Sequence, residues 1–206
     1  MRSLIEDESM AKKPAAAVAP RLPQQIAKAR KEGRTQQALD LARQLHKQLP
    51  VAQHRELLEH VMLERGQQLQ GQGKLSDAAT VYRNLLEFTS TPSLVAEGAG
   101  RLAMCGELAE ALAAMPRVGD PRLRQGLLAT IVDSALGQGP AGKNALPAEL
   151  HAGFDSVKQA FAHYEVGRDE EARAALQAIG LQSPFLEWKL LLRGFLAYQA
   201  NDDARA

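Results

Sequence analysis

The segment Gly137-Gln138-Gly139-Pro140-Ala141-Gly142-Lys143-Asn144 has the glycine spacing and the lysine of a loop that wraps phosphates, and it follows the apolar run Leu127 to Val132. In such a loop backbone N–H groups cradle a nucleotide and the lysine reaches its terminal phosphates. That chemistry also needs a strand before the loop, a hydroxyl after the lysine to hold magnesium, and a helix whose N-terminus faces the phosphate. Here Asn144 stands in the hydroxyl's place, Pro147 interrupts the following segment, and the preceding run has helical spacing. The segment reads as a flexible loop, and nucleotide binding is not expected.

The other residues capable of chemistry are scattered. None of His46, His54, His60, His151 and His163 sits in a metal-ligating pattern; Glu56 and His60 are four apart on one helical face, which reads as a solvated surface. Cys105 is the chain's one cysteine, so no disulfide forms within it, and its neighbours Leu102, Met104 and Leu108 suggest a buried, inert thiol. No nucleophile elbow, catalytic carboxylate pair or dinucleotide fingerprint appears. The chain is expected to be non-enzymatic, with no metal and no cofactor.

Two distributions point instead to partners. Between residues 12 and 47 lie Lys12, Lys13, Arg21, Lys28, Arg30, Lys31, Arg34, Arg43 and Lys47 against only Glu32 and Asp40, although the whole chain carries a net charge of +1. Lys28, Arg30, Lys31 and Arg34 could steer an acidic ligand, or they could be the wet face of a first helical hairpin. Nucleic acid is not expected, because aromatics are not interleaved with these cations. The second distribution is aromatic: seven of the nine aromatic residues follow residue 150.

The elements that must position these groups are helical. Of 206 residues 45% are hydrophobic but only 4% aromatic, while Ala, Leu, Gln, Arg and Glu abound. Apolar spacing predicts helices over roughly 22–32, 35–48, 51–72, 75–88, 93–105, 107–115, 121–136, 148–166, 169–179 and 185–200. Pro50, Pro92, Pro121 and Pro184 fall at junctions. Residues 138–147 are expected to form a Gly/Pro loop, and 1–20 a flexible, Ala-, Pro- and Lys-rich arm in which Met10 is an alternative start. With no apolar run long enough for a signal peptide or a membrane span, a soluble protein in the reducing cytoplasm is expected.

A turn residue followed five positions later by alanine recurs at Gly33/Ala38, Gly73/Ala78, Gly106/Ala111, Gly167/Ala172 and Asn201/Ala206. Successive turns are separated by 40, 33, 61 and 34 residues. With Ala42, Leu45 and Pro50 in the first unit, Gly66, Tyr82 and Leu85 in the second, and Tyr164, Leu176, Ile179 and Pro184 in the fourth, the chain resembles the tetratricopeptide-repeat family in degenerate form. The third unit keeps its turn but is cut short at Pro116, and the family's early tryptophan is missing from the first four units.

The resemblance implies an all-α protein of about ten helices, in which antiparallel hairpins stack into an α-solenoid. Hairpins and one unpaired helix would fill 21–137, and a C-terminal hairpin plus the start of a truncated repeat would fill 148–206. Because the chain stops where a second helix should begin, it is expected to be part of a longer polypeptide or an unfinished array. The family's groove positions, carried onto the last two units, fall on Phe154, Val157, Phe161 and Tyr164 and on Trp188, Leu191, Phe195 and Tyr198.

Two readings of that stripe stand open: a groove for a partner helix or peptide, and an ordinary core face. The family's clamp for terminal carboxylates has no counterpart beyond Arg30 and Lys31. The expected function is a protein–protein interaction scaffold; the alternative is a regulatory domain whose catalytic or DNA-binding part lies beyond residue 206.

Overall fold

A computed structural model describes residues 21–199, which contain helices and turns and no strand. The arm expected over 1–20 and the Asn201/Ala206 pair lie outside the described residues. The described residues divide into two compact units, with the division between Val61 and Met62.

In the first unit, α1 (Arg21–Lys31) and α2 (Thr35–Gln48) pack as a hairpin. Leu22, Ile26 and Ala29 face Ala38, Leu39, Ala42 and Leu45, all buried, at the three- and four-residue spacing that gives each helix one apolar face. Each buried leucine or isoleucine contributes about 1.5–3 kcal/mol. The helix α3 (Ala52–Gly71) begins in this unit and ends in the next.

The second unit continues through α4 (Leu75–Phe88), α5 (Pro92–Met104), α6 (Leu108–Ala114), α7 (Pro121–Gln138), α8 (Pro140–Ala145), α9 (His151–Glu165), α10 (Asp169–Gln177) and α11 (Leu186–Gln199). Here α5 packs on α4, α6 and α7, α9 pairs with α10, and α11 lies against both α9 and α10. Pro92 and Pro121 open their helices, where a missing N–H costs nothing. The Asp120 side chain caps α7 by accepting from the Arg122 N–H at 2.7 Å.

The turns share one construction. Gly33, Gly73, Gly106 and Gly167 all have φ between 70° and 102°, a region that a side chain disfavours. After each, the next residue's N–H reaches back five positions: Arg34 to Ala29, Lys74 to Leu69, Glu107 to Leu102 and Arg168 to His163, at 2.9–3.2 Å. That same residue's carbonyl then accepts from the alanine four positions on, so Ala38, Ala78, Ala111 and Ala172 close the first turn of each following helix. All four alanines are fully buried. A small side chain there lets the paired helices approach closely.

The long interval between Gly106 and Gly167 differs from expectation. Residues 138–147 hold α8, and α8 packs against α7, so α7 has a hairpin partner. Gly139, with φ 60°, reverses the chain 33 residues after Gly106 and 28 before Gly167, and Pro140 starts the helix. Gly142 is buried against the Ala135 carbonyl, where any Cβ would overlap backbone. Proline at a first position and glycine at a crossing are compatible with helix. Counted as breakers, they hide it.

Candidate peptide-binding surfaces

The phosphate-loop lookalike is occupied by packing. A helix precedes it, Gly142 is pressed onto α7, and the Lys143 ammonium donates to both oxygens of Asp155 on α9, at 2.6 and 2.7 Å. Its lysine is committed to a carboxylate.

The aromatic stripe is part core and part surface. Phe154 and Val157, at 3% and 1% exposure, are buried and line no groove. The other six come together along α9 and α11. Phe161 meets Trp188 edge-on with ring centres 5.6 Å apart, and Tyr164 stacks on Phe195 at 6.0 Å. Gln199 donates to the Tyr164 hydroxyl at 3.2 Å. Outside these contacts Leu191, Phe195 and Tyr198 remain 44%, 41% and 77% exposed, at successive turns of one face of α11. Leu192, Leu196 and Ala197 form its buried face. Gly194 sits among the exposed residues with open space over it.

Lys28, Arg30, Lys31 and Arg34 are all exposed, but they do not form one site. Lys28, Arg30 and Lys31 occupy the last turn of α1, where cations complement the helix dipole, and Arg34 pairs with Glu32. Only Arg30 borders the neighbouring depression of about 380 Å³, with Pro23, Glu56, Leu57, His54 and His60. His54 Nδ1 donates to the Leu49 carbonyl at 2.9 Å and His60 Nδ1 to that of Glu56 at 2.8 Å. Among the described residues no cluster of three metal-ligating side chains occurs. None of their helices is long and apolar enough to cross a membrane.

A third surface had no sequence signal. Two depressions of about 650 and 690 Å³ share Met104 and Thr130 and run between α5 and α7. Small residues, Ala96, Gly100, Ala103 and Gly126, give the groove its depth; Glu97, Arg101 and Arg122 stand toward one end and Asp133, Ser134 and Gln138 toward the other. Periodicity marks apolar faces, and this lining mixes small, polar and charged side chains. Cys105 borders it half-buried, its thiol pKa pushed up by burial and by Glu107, against a smaller opposing effect of Arg83. A thiol so disposed is a poor nucleophile.

Arg83 joins two helices through two carboxylates. It donates to Glu107 at 2.7 Å and to both Glu110 oxygens at 2.7 and 2.9 Å, tying α4 to the start of α6. The guanidinium bonds hold the Glu110 carboxyl below its usual range. Partly exposed pairs of this kind stabilise weakly.

Compared with protein-family models, curated proteins and solved structures, the chain shows no significant match to any.

Proposed function

We propose that this chain is a non-enzymatic, tetratricopeptide-like adaptor whose helical hairpins stack as a solenoid and hold an amphipathic helix or apolar segment of a partner protein across α9 and α11. One observation carries the reading: Leu191, Phe195 and Tyr198 stay in solvent on a single face of α11 beside the ring pairs Phe161/Trp188 and Tyr164/Phe195. Aligned aromatics of this kind supply large contact area at small entropic cost. The recurrence of the glycine turn, with Gly139 filling the long interval, supports the repeat reading. A reducing cytoplasmic setting suits a chain with one thiol.

The test is selection of peptides from a displayed library on the intact protein, followed by titration of the best binders while the emission of Trp188, the chain's one tryptophan, is recorded. Selected peptides are expected to shift that emission and to lose affinity on Leu191→Asp. Binders that leave Trp188 and Leu191→Asp unaffected would place the site elsewhere.

A further inference from the structure

We infer that the groove between α5 and α7 is an acidic subsite, taking glutamate or aspartate side chains of the same partner segment whose apolar part lies on α9 and α11; it rests on the peptide-binding reading above. The anchors are Arg101 and Arg122. Arg101 makes one long ion pair, to Glu97 at 3.8 Å one helical turn away, without a hydrogen bond between them, while Glu97 accepts from Gln67 at 3.2 Å. The Arg122 guanidinium is exposed and makes no ion pair among the described residues. Arg83, held by two carboxylates at 2.7 Å, shows how a satisfied arginine is built in this fold. The groove arginines keep donors for an incoming carboxylate, which guanidinium binds in bidentate fashion.

The space above them is open for a structural reason. Gly126 lies within α7, one turn from Arg122, and a Cβ there would meet no atom within 4 Å. Glycine inside a helix costs about 1 kcal/mol relative to alanine, and no packing contact explains it here. Its bare backbone keeps the groove clear. Across from it, a Cβ at Gly100 would touch the Thr130 methyl at 3.5 Å, so the floor is already at contact distance.

The other end of the groove sets the direction of the occupant. The Asp133 carboxylate accepts the Trp188 indole N–H at 2.5 Å, so the groove runs directly into the aromatic surface. A carboxylate side chain is repelled at Asp133, while at the other end the two cations Arg101 and Arg122 outnumber the one carboxylate, Glu97, and attract it. The partner's acidic residues therefore lie over α5 and α7 and its apolar residues over α11.

The test uses library-selected peptides with amidated C-termini, so that every carboxylate is a side chain. Binders are expected to carry acidic residues at one end and apolar residues at the other. Arg101→Glu with Arg122→Glu should weaken them about tenfold, and replacing the peptide's acids by Gln should weaken wild-type binding equally while abolishing sensitivity to that charge reversal. Gly126→Leu should fill the groove and weaken acidic binders without lowering the melting temperature, which guards against misfolding of the charge variant. Peptides that shift Trp188 but respond to neither variant overturn the acidic subsite and leave the aromatic surface standing. Failure to obtain any peptide that shifts Trp188 overturns both.

Discussion

The ring of Tyr82 on α4 lies against the bare backbone of Gly66 on α3, so close that any Cβ at residue 66 would overlap it. Tyr82 is fully buried and its hydroxyl donates to Gln70 at 3.1 Å, so the ring has nowhere to retreat. Gly153 and Phe185 repeat the arrangement, with an added Cβ only 2.5 Å from the ring. Gly66→Ala is therefore expected to destabilise by about 1–3 kcal/mol through overpacking, although alanine favours helix elsewhere. Urea unfolding checks this, and a variant as stable as wild type would show that the contact is not rigid.

Tyr82 also predicts a response to alkali. Burial raises its pKa from 10.0 to about 12, partly opposed by the charge of Arg101. The folded state thus holds the phenolic proton more tightly than the unfolded chain does. Its stabilising contribution is complete below about pH 10 and is lost as pH rises from there toward about 12. Stability measured across that window should fall, and Tyr82→Phe should flatten the fall while removing one hydrogen bond, a loss of about 1 kcal/mol. An unchanged slope in Tyr82→Phe would assign the alkaline loss to other groups.

Gly142 makes the same kind of contact with backbone, which cannot rotate away. Gly142→Ala should destabilise more than Gly66→Ala, because the Ala135 carbonyl and its helix would have to move. Gly137→Ala, five residues earlier with open space around it, should be neutral or gain up to about 1 kcal/mol. Thermal unfolding of the two variants separates a helical crossing from a flexible loop, in which both glycines would be equally tolerant. ATP with magnesium should leave the wild-type melting temperature unchanged, since Lys143 is bound to Asp155.

Local geometry was legible in the sequence where one residue type satisfies one local demand. Glycine at a positive-φ turn and alanine at the first buried turn of the next helix are such cases, and they located four hairpins. The hairpin of α7 and α8 escaped because Pro140 and Gly142 have two meanings, breaker and contact, and only packing against Ala135 selects the second. The division of the aromatic stripe escaped for a related reason. A 3-4-3 spacing states that residues share a face but not whether another helix covers it, and cover differs between Phe154 and Tyr198. The groove between α5 and α7 depends on residues 20 to 40 positions apart whose small and charged side chains have no period.

That difference in cover makes the core and surface portions of the stripe separable by substitution. Phe154 is buried, so Phe154→Ala leaves a cavity and should cost about 3–5 kcal/mol. Tyr198 at 77% exposure makes little folded-state contact, so Tyr198→Ala should change stability by no more than about 0.5 kcal/mol. If α11 presents its aromatic face to a partner, Tyr198→Ala should nonetheless weaken the selected peptides by about tenfold. Gly194→Leu should act in the same direction by filling the open space among Leu191, Phe195 and Tyr198, while favouring the helix. Calorimetric unfolding and peptide titration on the same three proteins check both halves. A Tyr198→Ala protein that binds as wild type does would confine recognition to the half-buried rings of Phe161, Tyr164 and Trp188, and a strongly destabilised one would mean that its ring is covered within the fold.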